Sequence, residues 1–223
     1  MAGLGVALGI ACVACAVEPA PTPPAATVDV ATPVLGAAVR MEDVEGDVVD
    51  MQAKRGATPA YIDVRELVAA SDGTTLQLTL TVAEALPRPA PRENERLSYN
   101  FEVFTGDPVS PENAQEVNRV RYTLTAVSGP MGEGLPAVYQ PGIYDFTRGP
   151  DPVFHFGPQF PGTLDVTGDT IVLTVALSAL GDPDELWIAI RTVSTLSTSE
   201  GEAVSSTGDM APDAEQTWMT LEP

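Results

Sequence analysis

From about Leu35 onward, apolar and polar residues alternate with a period of two, the pattern of strands with one buried and one solvated face. Leu76, Leu78, Leu80 and Val82 alternate with Gln77, Thr79 and Thr81. Leu97, Tyr99, Phe101 and Val103 alternate with Ser98, Asn100 and Glu102. Val120, Tyr122, Leu124 and Ala126 alternate with Arg119, Arg121, Thr123 and Thr125. Ile171, Leu173, Val175 and Leu177 alternate with Thr170, Val172, Thr174 and Ala176. Shorter candidates are Tyr61–Arg65, Val153–Phe156, Thr163–Val166, Leu186–Val193 and Thr217–Leu221.

Turn chemistry separates these segments. Ser71-Asp72-Gly73-Thr74 precedes one strand and Thr167-Gly168-Asp169 lies between two, and both supply residues that tolerate positive φ. The run from Pro87 to Arg92 carries three prolines and belongs in a surface loop, because proline cannot donate to a sheet ladder. The Gly- and Pro-rich stretch from Gly129 to Pro161 has room for short strands at most. A single helical turn is expected at Ser178–Leu180, ended by Gly181. Roughly nine strands and very little helix predict an all-β fold, an antiparallel β-sandwich of immunoglobulin-like or jelly-roll-like kind.

The N-terminus breaks this pattern. Ala2 to Val17 contains no charged residue, and both cysteines of the chain, Cys12 and Cys15, lie near its end. The run is short of the roughly 20 residues a membrane span needs and fits the core of an export signal. No Lys or Arg precedes it, a departure from the usual charged start of such signals. Val13-Ala14-Cys15 resembles the end of a bacterial lipobox, as does Gly9-Ile10-Ala11-Cys12. Cleavage before Cys12 would leave a very short apolar segment, which favours Cys15 as the lipidated residue with Cys12 as the alternative. The Pro-, Ala- and Thr-rich residues 16–34 then form a linker, since they cannot bury enough surface to offset ordering entropy. An extended Pro-rich chain rises about 3.1 Å per residue, a leash on the order of 50 Å. The expected organisation is a signal segment over 1–15, a linker over 16–34 and one β-sandwich domain over 35–223. The expected location is the cell envelope or cell surface, held to a lipid membrane by N-terminal acyl chains.

Charge narrows the partners. The formal net charge is −20, from 31 acidic against 11 basic residues, and Lys54 is the sole lysine. Such a chain repels nucleic acid and anionic headgroups. Hard cations, by contrast, favour carboxylate oxygens. Asp43, Glu45, Asp47 and Asp50 gather ahead of Asp63, and Asp209 and Asp213 lie in a second segment. Asp43, Asp47, Asp50, Asp63 and Asp209 are the candidate ligands of a structural Ca²⁺, although their spacing does not match an EF-hand loop.

Three segments carry a family resemblance: Glu45-Gly46-Asp47 with Tyr61-Ile62-Asp63-Val64, Val175 to Gly181, and Gly208 to Asp213. In this order they resemble extracellular β-sandwiches of the family-9 carbohydrate-binding-module and DOMON-like kind, over roughly Asp43 to Glu222. The resemblance implies a binding domain for sugar, haem or calcium. Sugar binding in that family is similar to stacking between tryptophans, which makes Trp187 and Trp218 candidates. Haem would need His155, the sole histidine, with Met131 or Met210.

Catalysis has little support. No Gly-x-Ser-x-Gly elbow is present, and one histidine without a free cysteine pair does not suit zinc. No catalytic residue is assigned. The expected role is binding of a carbohydrate or an envelope protein at the cell surface. The alternatives are a surface hydrolase or its accessory module, and a purely structural envelope lipoprotein.

Overall fold

The computed structural model describes residues 37–43, 46–50, 59–88, 95–105, 122–128, 138–147, 152–197, 203–211 and 218–223. All of them fall in one compact unit, Pro33–Pro223. The expected signal segment and linker, with Cys12 and Cys15, lie outside the described residues. In chain order the strands are β1 (Ala37–Glu42), β2 (Val49–Asp50), β3 (Val64–Ser71), β4 (Thr75–Val82), β5 (Glu95–Thr105), β6 (Tyr122–Ser128) and β7 (Gln140–Asp145). They continue with β8 (Val153–Phe156), β9 (Gly162–Thr167), β10 (Thr170–Ala176), β11 (Leu186–Ser197), β12 (Ala203–Ala211) and β13 (Met219–Leu221). Among the described residues helix is confined to short 3-10 turns, including Leu177–Leu180, which ends at Gly181.

Two antiparallel sheets result. One is five-stranded in the order β1-β3-β4-β10-β9. The other is eight-stranded, in the order β2-β12-β11-β5-β6-β7-β8, with β13 also paired to β11. The all-β sandwich expected from the alternation is therefore present. Each alternating strand puts its apolar set on the shared inner face, because a slip by one residue would turn that set to solvent. Leu67, Leu78, Leu80, Ile171 and Leu173 fill this face from the five-stranded sheet. Leu97, Tyr99, Phe101, Leu124, Ile188 and Ile190 meet them from the other.

The two tight hairpins stand where the turn residues put them. Gly73 and Gly168 take φ of 83° and 62° at their tips, a region that costs glycine little. The Asp72 carboxylate accepts the amides of Thr74 and Thr75 at 2.8 and 2.7 Å, which fixes the first turn.

Strand boundaries differ from expectation in places with local causes. Tyr61 and Ile62 belong to a 3-10 turn, Ala60–Ile62, and the strand starts at Val64 and runs on to Ser71. The strands β1, β2, β7 and β12 add to those expected. β7 contains a proline and a glycine, and β12 reads AVSSTGDMA, so neither shows a row of large apolar residues. Pairing with neighbours, rather than side-chain preference, makes them strands.

Candidate metal centre

The chain leaves β1 at Asp43, whose amide still bonds the Arg65 carbonyl of β3 at 3.0 Å. Gly46 then turns at φ 84°. Its amide donates to both carboxylate oxygens of Asp63, at 3.3 and 3.1 Å. Asp47 and Val48 lead into β2, which pairs with Thr207 and Gly208 of β12. This short connection therefore crosses from the five-stranded to the eight-stranded sheet.

Asp209, next along β12, sits opposite Thr192 on the inner face, and both are buried. Asp209 Oδ2 accepts the Val64 amide at 2.7 Å and Oδ1 accepts its neighbour Met210 at 2.8 Å. The Thr192 hydroxyl donates to the Ile62 carbonyl. The seam between the sheets is thus closed by side chains of one bonding the backbone of the other. Backbone amides buried at a strand end need such acceptors.

Over this seam one carboxylate oxygen each of Asp43, Asp47 and Asp209 come within 4.8 Å of one another. Two oxygens on opposite sides of a Ca²⁺ ion stand about 5 Å apart, given bonds of about 2.3–2.6 Å. The spacing suits such an ion. Asp43 and Asp47 are half-buried, and Asp209 is 6% exposed. Burial raises the Asp209 pKa to about 6, with Asp47 and Asp63 adding to the rise and the amides of Val64 and Met210 opposing it. A cation placed among these carboxylates would reverse that penalty.

Of the five candidate ligands, the structure brings together Asp43, Asp47 and Asp209. Asp63 is buried beside them and holds Gly46 rather than joining the three. Asp50 lies in β2 opposite Thr207, two residues before Asp209. Glu45 and Asp213 lie outside the described residues.

The tryptophans share the outer face of the eight-stranded sheet. Trp187 lies opposite Phe104 of β5 and Thr220 of β13. Trp218 meets Phe104 edge-on at 4.2 Å. Both indoles are half-buried. A more exposed aromatic row lies at the other edge of that sheet, where Tyr144 and Phe154 stack at 4.1 Å and Phe156 follows at 5.5 Å from Phe154. Gly142 leaves room for these rings, since a Cβ there would stand 3.0 Å from Phe154 and 3.1 Å from Phe156. His155 is on β8 and Met210 on β12, five strand steps or about 24 Å apart and on opposite faces, so these two cannot ligate one haem. Met131 lies outside the described residues.

Sequence reasoning missed Glu95, which is 2% exposed at the start of β5. Its Oε1 accepts the Tyr61 hydroxyl at 2.9 Å and the Ser194 hydroxyl. Nothing in the alternation marks it, because Glu95 falls on the inward parity of its strand, where an apolar residue is expected.

The chain matches no protein-family model, no curated protein and no solved structure at a significant level.

Proposed function

We propose that this chain is an exported, lipid-anchored β-sandwich that binds a ligand or partner at the cell surface, and that a structural Ca²⁺ held by Asp43, Asp47 and Asp209 locks its inter-sheet connection. The convergence of these three carboxylates at the seam carries the cation reading. They come from the end of β1, the crossing connection and β12, so an ion bound there ties three chain segments with one set of bonds. The tryptophans do not carry this reading: both are half-buried on the outer face, Trp218 edge-on to Phe104.

A ligand that binds only the folded state stabilises it by RT ln(1 + [L]/Kd), about 2.7 kcal/mol at a hundredfold excess over Kd. For a domain of this size that is a rise of about 5–10 °C in Tm. With sodium chloride held constant, Ca²⁺ is expected to give this rise, and Mg²⁺ less, because Mg²⁺ dehydrates reluctantly. Asp47→Asn is expected to blunt it. Additional sodium chloride at matched ionic strength is the control, and a shift that it reproduces in full eliminates the site.

The anchor reading rests on the apolar run that ends at Cys15. Acyl chains contribute about 0.8 kcal/mol per buried CH₂, so two or more hold the protein to the membrane durably. Detergent partitioning of the expressed chain is expected to collapse in Cys15→Ala and to persist in Cys12→Ala. The reverse result would move the modification to Cys12.

A further inference from the structure

The inward face of the eight-stranded sheet holds a second polar group, remote in sequence from the acidic connection. Glu95 is 2% exposed, and its Oε2 is buried without a hydrogen bond. Among the described residues no basic side chain pairs with it. Ser128, 1% exposed, also has a buried hydroxyl without a hydrogen bond.

Strand register makes Glu95 and Ser128 neighbours on one face. Leu97 of β5 is opposite Ser128 of β6 on one side and Ser194 of β11 on the other. Glu95 is two residues before Leu97 on the same face, so it is the diagonal neighbour of both serines, about 7–8 Å away between backbones. The Ser194 hydroxyl and the Tyr61 hydroxyl take up Oε1. Nothing comparable serves Oε2.

Two more hydroxyls lie close by. Tyr99 donates to the Tyr61 carbonyl at 2.8 Å, and Tyr139 to the Pro87 carbonyl at 3.2 Å. The Tyr99 and Tyr139 rings stand 6.2 Å apart. Hydroxyl oxygens therefore surround Glu95, and among the described residues no ion pair reaches it, although Arg88 acts electrostatically on the neighbouring Tyr139. A buried carboxylate with one bare oxygen is costly, because it has lost its water and gained only part of its hydrogen bonding. The chemistry that answers this is a cation of single charge, coordinated by one carboxylate and neutral hydroxyl oxygens. A divalent ion would leave a positive charge uncompensated.

We propose that Glu95 Oε2 and the Ser128 hydroxyl are ligands of a buried site for a small alkali cation, Na⁺ or K⁺, at the β5–β6 end of the sandwich core. This site is separate from the carboxylates of Asp43, Asp47 and Asp209, and needs no Ca²⁺.

Thermal melting of the full chain in excess EGTA tests it, with sodium, potassium or choline chloride at one ionic strength. Choline is too large for a site between packed strands, so it supplies the same screening without the ligand. A Tm several degrees higher in sodium or potassium than in choline is expected. The gap is expected to close in Glu95→Gln and to shrink in Ser128→Ala, which removes one hydroxyl and leaves the carboxylate in place. Equal melting in all three salts overturns the proposal. Should Glu95→Gln not fold, an undiminished gap in Ser128→Ala overturns the assignment by itself. Because EGTA is present throughout, loss of the calcium response leaves this result untouched, and the reverse also holds.

Discussion

Leu173→Ala is expected to lower the unfolding free energy by about 2–5 kcal/mol, a large fraction of what a domain of this size possesses. Leu173 lies on β10, between β4 and β9 of the five-stranded sheet, opposite Leu78 and Leu164, and is fully buried. Removing its side chain forfeits the transfer energy of the lost carbons and leaves a cavity that a sheet held on both sides cannot close. Leu80→Ala, opposite Ile171, is expected to behave alike. Thr79→Ala, one residue away but facing outward, should cost much less, because it removes little buried surface. Urea denaturation of the three variants checks this. A similar loss at Thr79 and at Leu173 would contradict the assignment of inner and outer faces.

In calcium-free buffer, stability is expected to fall as pH rises from 4 to 7, by up to about 3 kcal/mol. The Asp209 pKa is raised from 3.8 to about 6 by burial and by Asp47 and Asp63. Its folded form thus holds a proton more tightly than its unfolded form. The stabilisation from that proton is complete below pH 3.8 and is lost as pH rises through about 6. A separation of about two units corresponds to about 3 kcal/mol. Glu102 also has a raised pKa, chiefly from burial and opposed by Arg191, and adds to the same slope. Asp72 is held well below the usual range by the amide and hydroxyl of Thr74, so it stays ionised across this window. Two manipulations isolate Asp209. Asp47→Asn removes one repelling charge and should flatten the slope, and saturating Ca²⁺ should abolish the part that Asp209 contributes. Urea midpoints at pH 4, 5, 6 and 7, with and without Ca²⁺, provide the measurement. A midpoint that does not fall between pH 4 and 7 without Ca²⁺ would show that Asp209 ionises freely in the folded state.

The outer architecture was legible because sheet formation has a period-2 signature that survives in a single sequence. Leu78, Leu80, Phe101, Leu124, Leu173 and Val175 all lie on the inward parity of their strands, and all are buried. The hairpin tips at Gly73 and Gly168 were legible for a local reason too, since positive φ selects glycine at a tight turn. The strands β1, β2, β7 and β12 were not legible. β2 owes its form to β12, far along the chain. β7 and β12 also pair with strands next to them in sequence, but carry proline, glycine and small polar residues in place of an apolar row. β1 turns only Ala37, Val39 and Met41 partly inward.

The site divides in the same way. Composition alone marked Asp43, Asp47, Asp50, Asp63 and Asp209 as a pool of oxygen ligands, since an acidic cluster is a local property of a sequence. Which of them meet was decided by the crossing from β1 to β2 and by the placement of β12 beside that crossing, 145 positions of chain separating Val64 from the Asp209 that accepts its amide. Asp63 appeared equivalent to the others, yet its carboxylate is committed to Gly46. Glu95 shows the limit most plainly. By alternation its position should be apolar, and only the hydrogen bonds from Tyr61 and Ser194 show that a carboxyl group is buried there. Alternation along the chain therefore determined which faces turn inward, because that choice follows from each strand's own residues. The convergence of charges depended on contacts between distant segments, and only the tertiary structure decided it.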